Sequence, residues 1–113
     1  MHANMQSCID ACEECHRVCL ETIAYCLRQG GQHADAQHIT LLMDCSQICG
    51  VSVDFMVRQS GHHAHTCGVC AAICVACAED CESMGRGDQR MQRCADTCRR
   101  CAEECRKMAH EHA

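Results

Sequence analysis

Twelve of the sixteen cysteines in this 113-residue chain fall into one spacing written three times. The copies are Cys8, Cys12, Cys15 and Cys19; Cys70, Cys74, Cys77 and Cys81; and Cys94, Cys98, Cys101 and Cys105. Steps of four, three and four residues keep side chains on one face of an α-helix. Each segment therefore reads as a helix whose inward stripe is thiol where leucine is usual. Thiolate is a soft ligand and selects soft metal ions. The other four cysteines extend the pattern. Cys26 lies one heptad after Cys19, and Cys67 stands three residues before Cys70. Cys45 and Cys49 begin a stripe that continues through Ser52 and Met56 at steps of three and four.

Several chemistries could use so many thiols. A disulfide framework is disfavoured because neighbours on one helix face keep their Cβ atoms about 5–6 Å apart, beyond the roughly 3.5–4.5 Å of a disulfide. A passive core is disfavoured because Ala, Leu or Val would fill the space without oxidation. Iron–sulfur clusters of the bacterial ferredoxin type use a run that ends in proline, and this chain has no proline. Zinc in a four-thiolate site leaves two negative charges, and burying several such sites is costly. Cu(I) exchanges for one proton per thiol and leaves the charge of the core unchanged. On that exchange the capacity is about one ion per cysteine. A zinc or cadmium sink of metallothionein type stays as the alternative. A thiol redox protein is the weaker rival, since it needs a lone low-pKa pair near a helix N-terminus. No Ser/His/Asp set or phosphate loop suggests an enzyme.

The positioning elements follow from the punctuation. Glycines cluster at Gly30-Gly31, at Gly61 and at Gly85-Arg86-Gly87, which divides the chain into helices expected at about 4–29, 34–59, 63–84 and 88–110. Asp88 is the expected N-cap of the last, and Asp35 or His33 lies near the second start. Short connections between long neighbours imply an all-α, antiparallel, up-down-up-down four-helix bundle with a thiol-lined core, a single domain over 1–113. Outer faces carry the helical pairs Glu13 with Arg17, Asp96 with Arg100 and Glu103 with Lys107, and His16 is expected among them. The second helix is apolar on more than one face, through Ile39, Leu41, Leu42, Ile48, Val51, Val53, Phe55 and Val57. That surplus suggests a partner subunit.

Net charge of −5 and the lack of a basic run argue against nucleic acid. No apolar stretch is expected to reach the roughly 18 residues of a membrane span. The N-terminus shows no secretory pattern, so the expected location is the cytoplasm, where thiols stay reduced.

With these motifs the chain resembles the cytosolic copper storage proteins of bacteria, cysteine-rich four-helix bundles. The resemblance covers essentially the whole sequence and rests on CIDACEECHRVC, CAAICVACAEDC and CADTCRRCAEEC. It implies a homotetramer of bundles, each holding many Cu(I) ions inside through its cysteines. An exported branch of the family carries a twin-arginine signal and a methionine-lined mouth; this chain lacks the signal and is similar to the cytosolic branch.

Up-down topology places the N-terminus, the second connection and the C-terminus at one end. His2, Met5, Met56, His62, His63, His65, Met108, His110 and His112 gather there, and His33, His38, Met43, Met84 and Met91 at the other. Imidazole and thioether hold soft metal more weakly than a thiolate cluster, which suits capture and hand-over. The end bearing His62, His63 and His65, with Met56, Met108 and His110, is the expected copper entrance.

Overall fold

The computed structural model describes residues 5–110, which form four long α-helices with a single short 3-10 turn among them. They are α1 (Met5–Gln29), α2 (Ala36–Val57), α3 (His63–Met84) and α4 (Gln89–His110), with the 3-10 turn at Gly31–Ala34. The expected boundaries hold to within two residues. The expected ligands His2 and His112 lie outside the described residues. Each helix packs on two neighbours, α1 on α2 and α4, α3 on α2 and α4. This is the up-down-up-down ring that short connections dictate.

Local chemistry sets the ends. The Asp35 carboxylate accepts the Gln37 N–H at 3.2 Å and opens α2. Asp88 accepts the N–H groups of Arg90 and Met91 at 2.9 and 3.2 Å and opens α4, satisfying donors that the first helical turn leaves free. Gly30 and Gly31 reverse the chain after α1 with φ of 71° and 56°, a backbone region costly for other residues. Gly85 serves a different need. A Cβ there would stand 2.1 Å from the Cβ of Met91, so only glycine lets α3 end against the start of α4.

The surface differs in detail from the expectations. Arg17 pairs with Glu21 at 3.3 Å and not with Glu13. Arg100 reaches across to Glu14 on α1 at 2.9 Å, leaving Asp96 to the Gln92 amide. Lys107 meets Glu104, while Glu103 takes Arg106. Long arginines at the edge of a helix find carboxylates across the seam as readily as along their own face; Arg99 grips Glu82 of α3 through Nε and Nη2 at 2.8 and 2.7 Å. His16 is not an outer-face residue. Its Nδ1–H donates to the Ser46 carbonyl at 2.7 Å across the α1–α2 seam, where Gly50 leaves room for the ring.

The second helix buries Leu42 fully and packs Ile39, Leu41, Ile48 and Val53 partly against the core. Met43, Val51 and Val57 stay exposed on it, the last at 63%. Both α2 and α3 match a membrane-crossing helix in length and mean hydropathy, α2 through its Ile, Leu and Val and α3 through its Ala and Cys, as helices that pack into a bundle core also do.

Candidate metal centre

All sixteen cysteines are buried, none more than 1% exposed, and all are free thiols. Their companions are small: Ala11, Ala78, Ala95 and Ala102 lie beside them, almost fully buried. Small neighbours let the helices come close enough for sulfurs on different helices to meet.

Two complete layers occupy the middle of the bundle. In one, Cys15 lies 3.8 Å from both Cys45 and Cys98, and Cys45 lies 3.6 Å from Cys74. In the next, Cys49 is 3.7 Å from Cys70 and 3.8 Å from Cys101, and Cys101 is 3.6 Å from Cys12. Every helix supplies one sulfur to each. The same register, carried one turn outward, sets Ser52 level with Cys8, Cys67 and Cys105, and then Met56 level with Met5, His63 and Met108. Carried the other way it sets Leu42 level with Cys19, Cys77 and Cys94, and then His38 level with Thr22, Cys81 and Met91; Cys26, one turn further along α1, reaches His38 and Met91 from above that level. Leucine and serine on α2 thus take the corners that its missing thiols would fill.

Sulfurs also meet along single helices, at 3.9 Å for Cys15 and Cys19, 3.8 Å for Cys70 and Cys74 and 4.0 Å for Cys101 and Cys105. Groups of four sulfurs lie within 4.8 Å of one another, for example Cys19, Cys77, Cys94 and Cys98. An ion with metal–sulfur bonds of about 2.3 Å needs sulfurs about 3.8 Å apart in a tetrahedron, so these spacings accept metal with little movement.

Protons hold the network together when no metal does. Burial, aided by the charges of Cys94, Asp88 and Asp80, lifts Cys26 from 9.0 to about 11. Cys105 pulls Cys67 down, but donation to Cys8 and burial outweigh it and set this thiol at about 12. Inside the layers the S–H groups divide into givers and takers. Cys45 is held below the ordinary thiol range by accepting from Cys15, and Cys19 is pushed above it by donating to Cys15.

The two ends differ. At one, Met56 and Met108 are about 1% exposed and His63 is 5% exposed, its Nδ1 bonded to the Ser60 carbonyl at 2.9 Å. His62, His65 and His110 lie outside this cap, exposed. At the other, Cys26 Sγ is 3.4 Å from His38 Nε2 and 3.7 Å from the Met91 sulfur. The His38 Nδ1–H is taken by Asp80, which leaves the Nε2 lone pair facing the thiol. His38 and Met91 are therefore core residues, not members of a loose end group, and belong with the candidate ligands. The signal was present in the sequence: His38 precedes Cys45 by one heptad and Met91 precedes Cys98 by one.

The copper storage protein (Csp) family profile matches residues 1–110. The chain belongs to the copper storage protein family. A Cu(I)-bound copper storage protein, BsCsp3, shares 36% identity with it over 92% of this chain and 96% of that one, with a TM-score of 0.85. Apo-Csp3 from Bacillus subtilis shares 33% over 94% and 99%, with a TM-score of 0.83. A protein of Nitrosospira multiformis solved by structural genomics shares 48% over 93% and 94%, with a TM-score of 0.87. No curated protein sequence matches. Membership of this family and the buried thiols together make Cu(I) the cargo and storage the role of this family member.

Proposed function

We propose that this chain holds about sixteen Cu(I) ions inside one bundle, one for each cysteine from Cys8 to Cys105, by exchanging thiol protons for copper. The observation that carries the capacity is the complete burial of every cysteine inside one bundle, where the sulfurs of the central layers lie 3.4–4.0 Å from one another. Each exchange keeps the interior neutral, so filling one layer does not oppose filling the next. Divalent zinc would leave charge behind at every four-thiolate site, at a cost that grows with loading. Low-coordinate binding of a univalent ion therefore suits this interior better, although the four-sulfur groups would also accept zinc.

The role is storage without catalysis, and the location is the cytoplasm, where free thiols persist. Copper enters at the end bearing His62, His65 and His110, whose exposed imidazoles lie outside the buried Met56, Met108 and His63. The exposed Met43, Val51 and Val57 on α2 support assembly into a homo-oligomer, a tetramer by family resemblance. Anaerobic titration of the reduced protein with Cu(I) against a competing chelator, with zinc in parallel, tests the assignment. Saturation near sixteen equivalents with copper displacing zinc is expected. Saturation at two to four, or zinc displacing copper, overturns it.

A further inference from the structure

Helix α2 carries a fourth, altered copy of the cysteine repeat: Cys45, Cys49, Ser52 and Met56 at steps of four, three and four. Ser52 stands where the third thiol of the repeat belongs. Its residue is 0% exposed, and its Oγ has no hydrogen-bond partner. The other buried and half-buried helical hydroxyls among the described residues do not behave this way. Thr22 and Thr97 each bond back to the carbonyl four residues earlier, at 2.7 and 2.8 Å, and Thr66 to that of His63 at 3.0 Å. Ser46, one and a half turns before Ser52, finds His16. Ser52 forgoes the backbone bond that is open to a serine in a helix and is left unsatisfied in a dry core, a costly condition.

The register places this hydroxyl level with Cys8, Cys67 and Cys105, two of which, Cys8 and Cys105, lie 3.7 Å apart. A neutral thiol sulfur is a weak acceptor. A thiolate is a far stronger one. When copper binds, each thiol releases its proton to solvent and the sulfur keeps the electron pair that bonds the metal. The layer then contains anionic sulfur beside the hydroxyl.

We propose that Ser52 is a positioning residue for copper in the Cys8–Cys67–Cys105 layer, donating its hydroxyl hydrogen bond to a copper-bound thiolate of that layer. The hydroxyl is unsatisfied in the empty protein and satisfied in the loaded one, so it favours loading. The same corner accepts a fourth thiol. This proposal rests on the storage reading and adds a ligand-supporting group to it.

The experiment compares Ser52→Ala and Ser52→Cys with the unaltered chain, each full length and reduced. Anaerobic Cu(I) titration against a chelator gives capacity and the affinity of each class of equivalents, and thermal unfolding of the empty protein gives its stability. Ser52→Ala is expected to keep the capacity, to melt at the same temperature or higher when empty, and to hold some equivalents about tenfold more weakly, the loss typical of a group that orients metal ligands. Ser52→Cys is expected to take up one more ion. The proposal is overturned if Ser52→Ala binds every equivalent as tightly as the parent, or if it melts lower when empty, since the hydroxyl would then already be satisfied without metal. A parent chain that saturates at two to four ions sinks the storage reading instead, a result the Ser52 comparison does not produce.

Discussion

Cys12 and Cys105, separated by 93 residues in the chain, hold their sulfurs 3.4 Å apart in the interior. A disulfide would need about 2.05 Å, and van der Waals contact alone would not require two thiols from opposite ends of the sequence. The pair marks where α1 and α4 close the ring and bring the first and third repeats face to face.

If these thiols hold copper singly, Cys12→Ser and Cys105→Ser should each reduce the capacity by about one ion and the double variant by about two. Helical content should stay unchanged, because serine is close to cysteine in size. Anaerobic titration with circular dichroism checks both. A single substitution that empties many positions would show that the ions form one inseparable cluster.

Loading should depend on pH with a fixed sign. Cys26 at about 11 and Cys67 at about 12 are protonated throughout the neutral range, so metal must displace a proton at each. Between pH 6 and 8 the affinity should rise about tenfold per pH unit for every proton displaced. Chelator competition at three pH values measures that slope.

The empty protein should show the opposite sign at alkaline pH. Because folding raises these two pKa values above 9.0, the folded state binds protons more tightly than the unfolded chain. That stabilisation is complete below about pH 9 and is lost as pH rises through 11 to 12, every tenfold difference in proton affinity being worth about 1.4 kcal/mol. Denaturant midpoints measured from pH 8 to 11 under reducing conditions should hold level to about pH 9 and fall above it.

Replacing His62, His63, His65 and His110 together by alanine should slow both copper uptake and chelator-driven release, with unchanged final capacity. His38→Ala, at the opposite end, should leave those rates intact and weaken only the ion nearest Cys26. Equal rates in the fourfold variant would move the entrance elsewhere.

On the exterior, Val51→Glu with Val57→Glu should reduce the assembly state. Light scattering should report a smaller mass while the far-ultraviolet spectrum is kept. An unchanged mass would place the contact on another face.

Much of this was legible in the residues. A 4-3-4 repeat of one residue type determines both the helix and its inward face, so twelve cysteines could be faced inward without coordinates, and Cys26, Cys45, Cys49 and Cys67 by extending the same period. Asp88 as a cap was equally plain, since Gly87 before it and a polar-apolar helix after it leave little choice. The arginine pairings were not legible, because Arg99 and Arg100 lie near seams and their partners belong to helices whose rotation is set by packing. His16 was obscure for the same reason: it stands beside the charged Arg17, yet its ring meets Ser46 of another helix. The orphaned hydroxyl of Ser52 could only be seen once the register of four helices was known.

Helices α2 and α4 begin at carboxylate caps and α1 and α3 end at glycines, in none of which a cysteine side chain takes part, and hydrogen bonds between backbone groups run the length of each helix. The scaffold therefore owes its shape to peptide chemistry, not to whatever occupies its axis. A molecule drained during scarcity keeps its form, presents no loosened chain to proteases, and is ready for refilling without new synthesis.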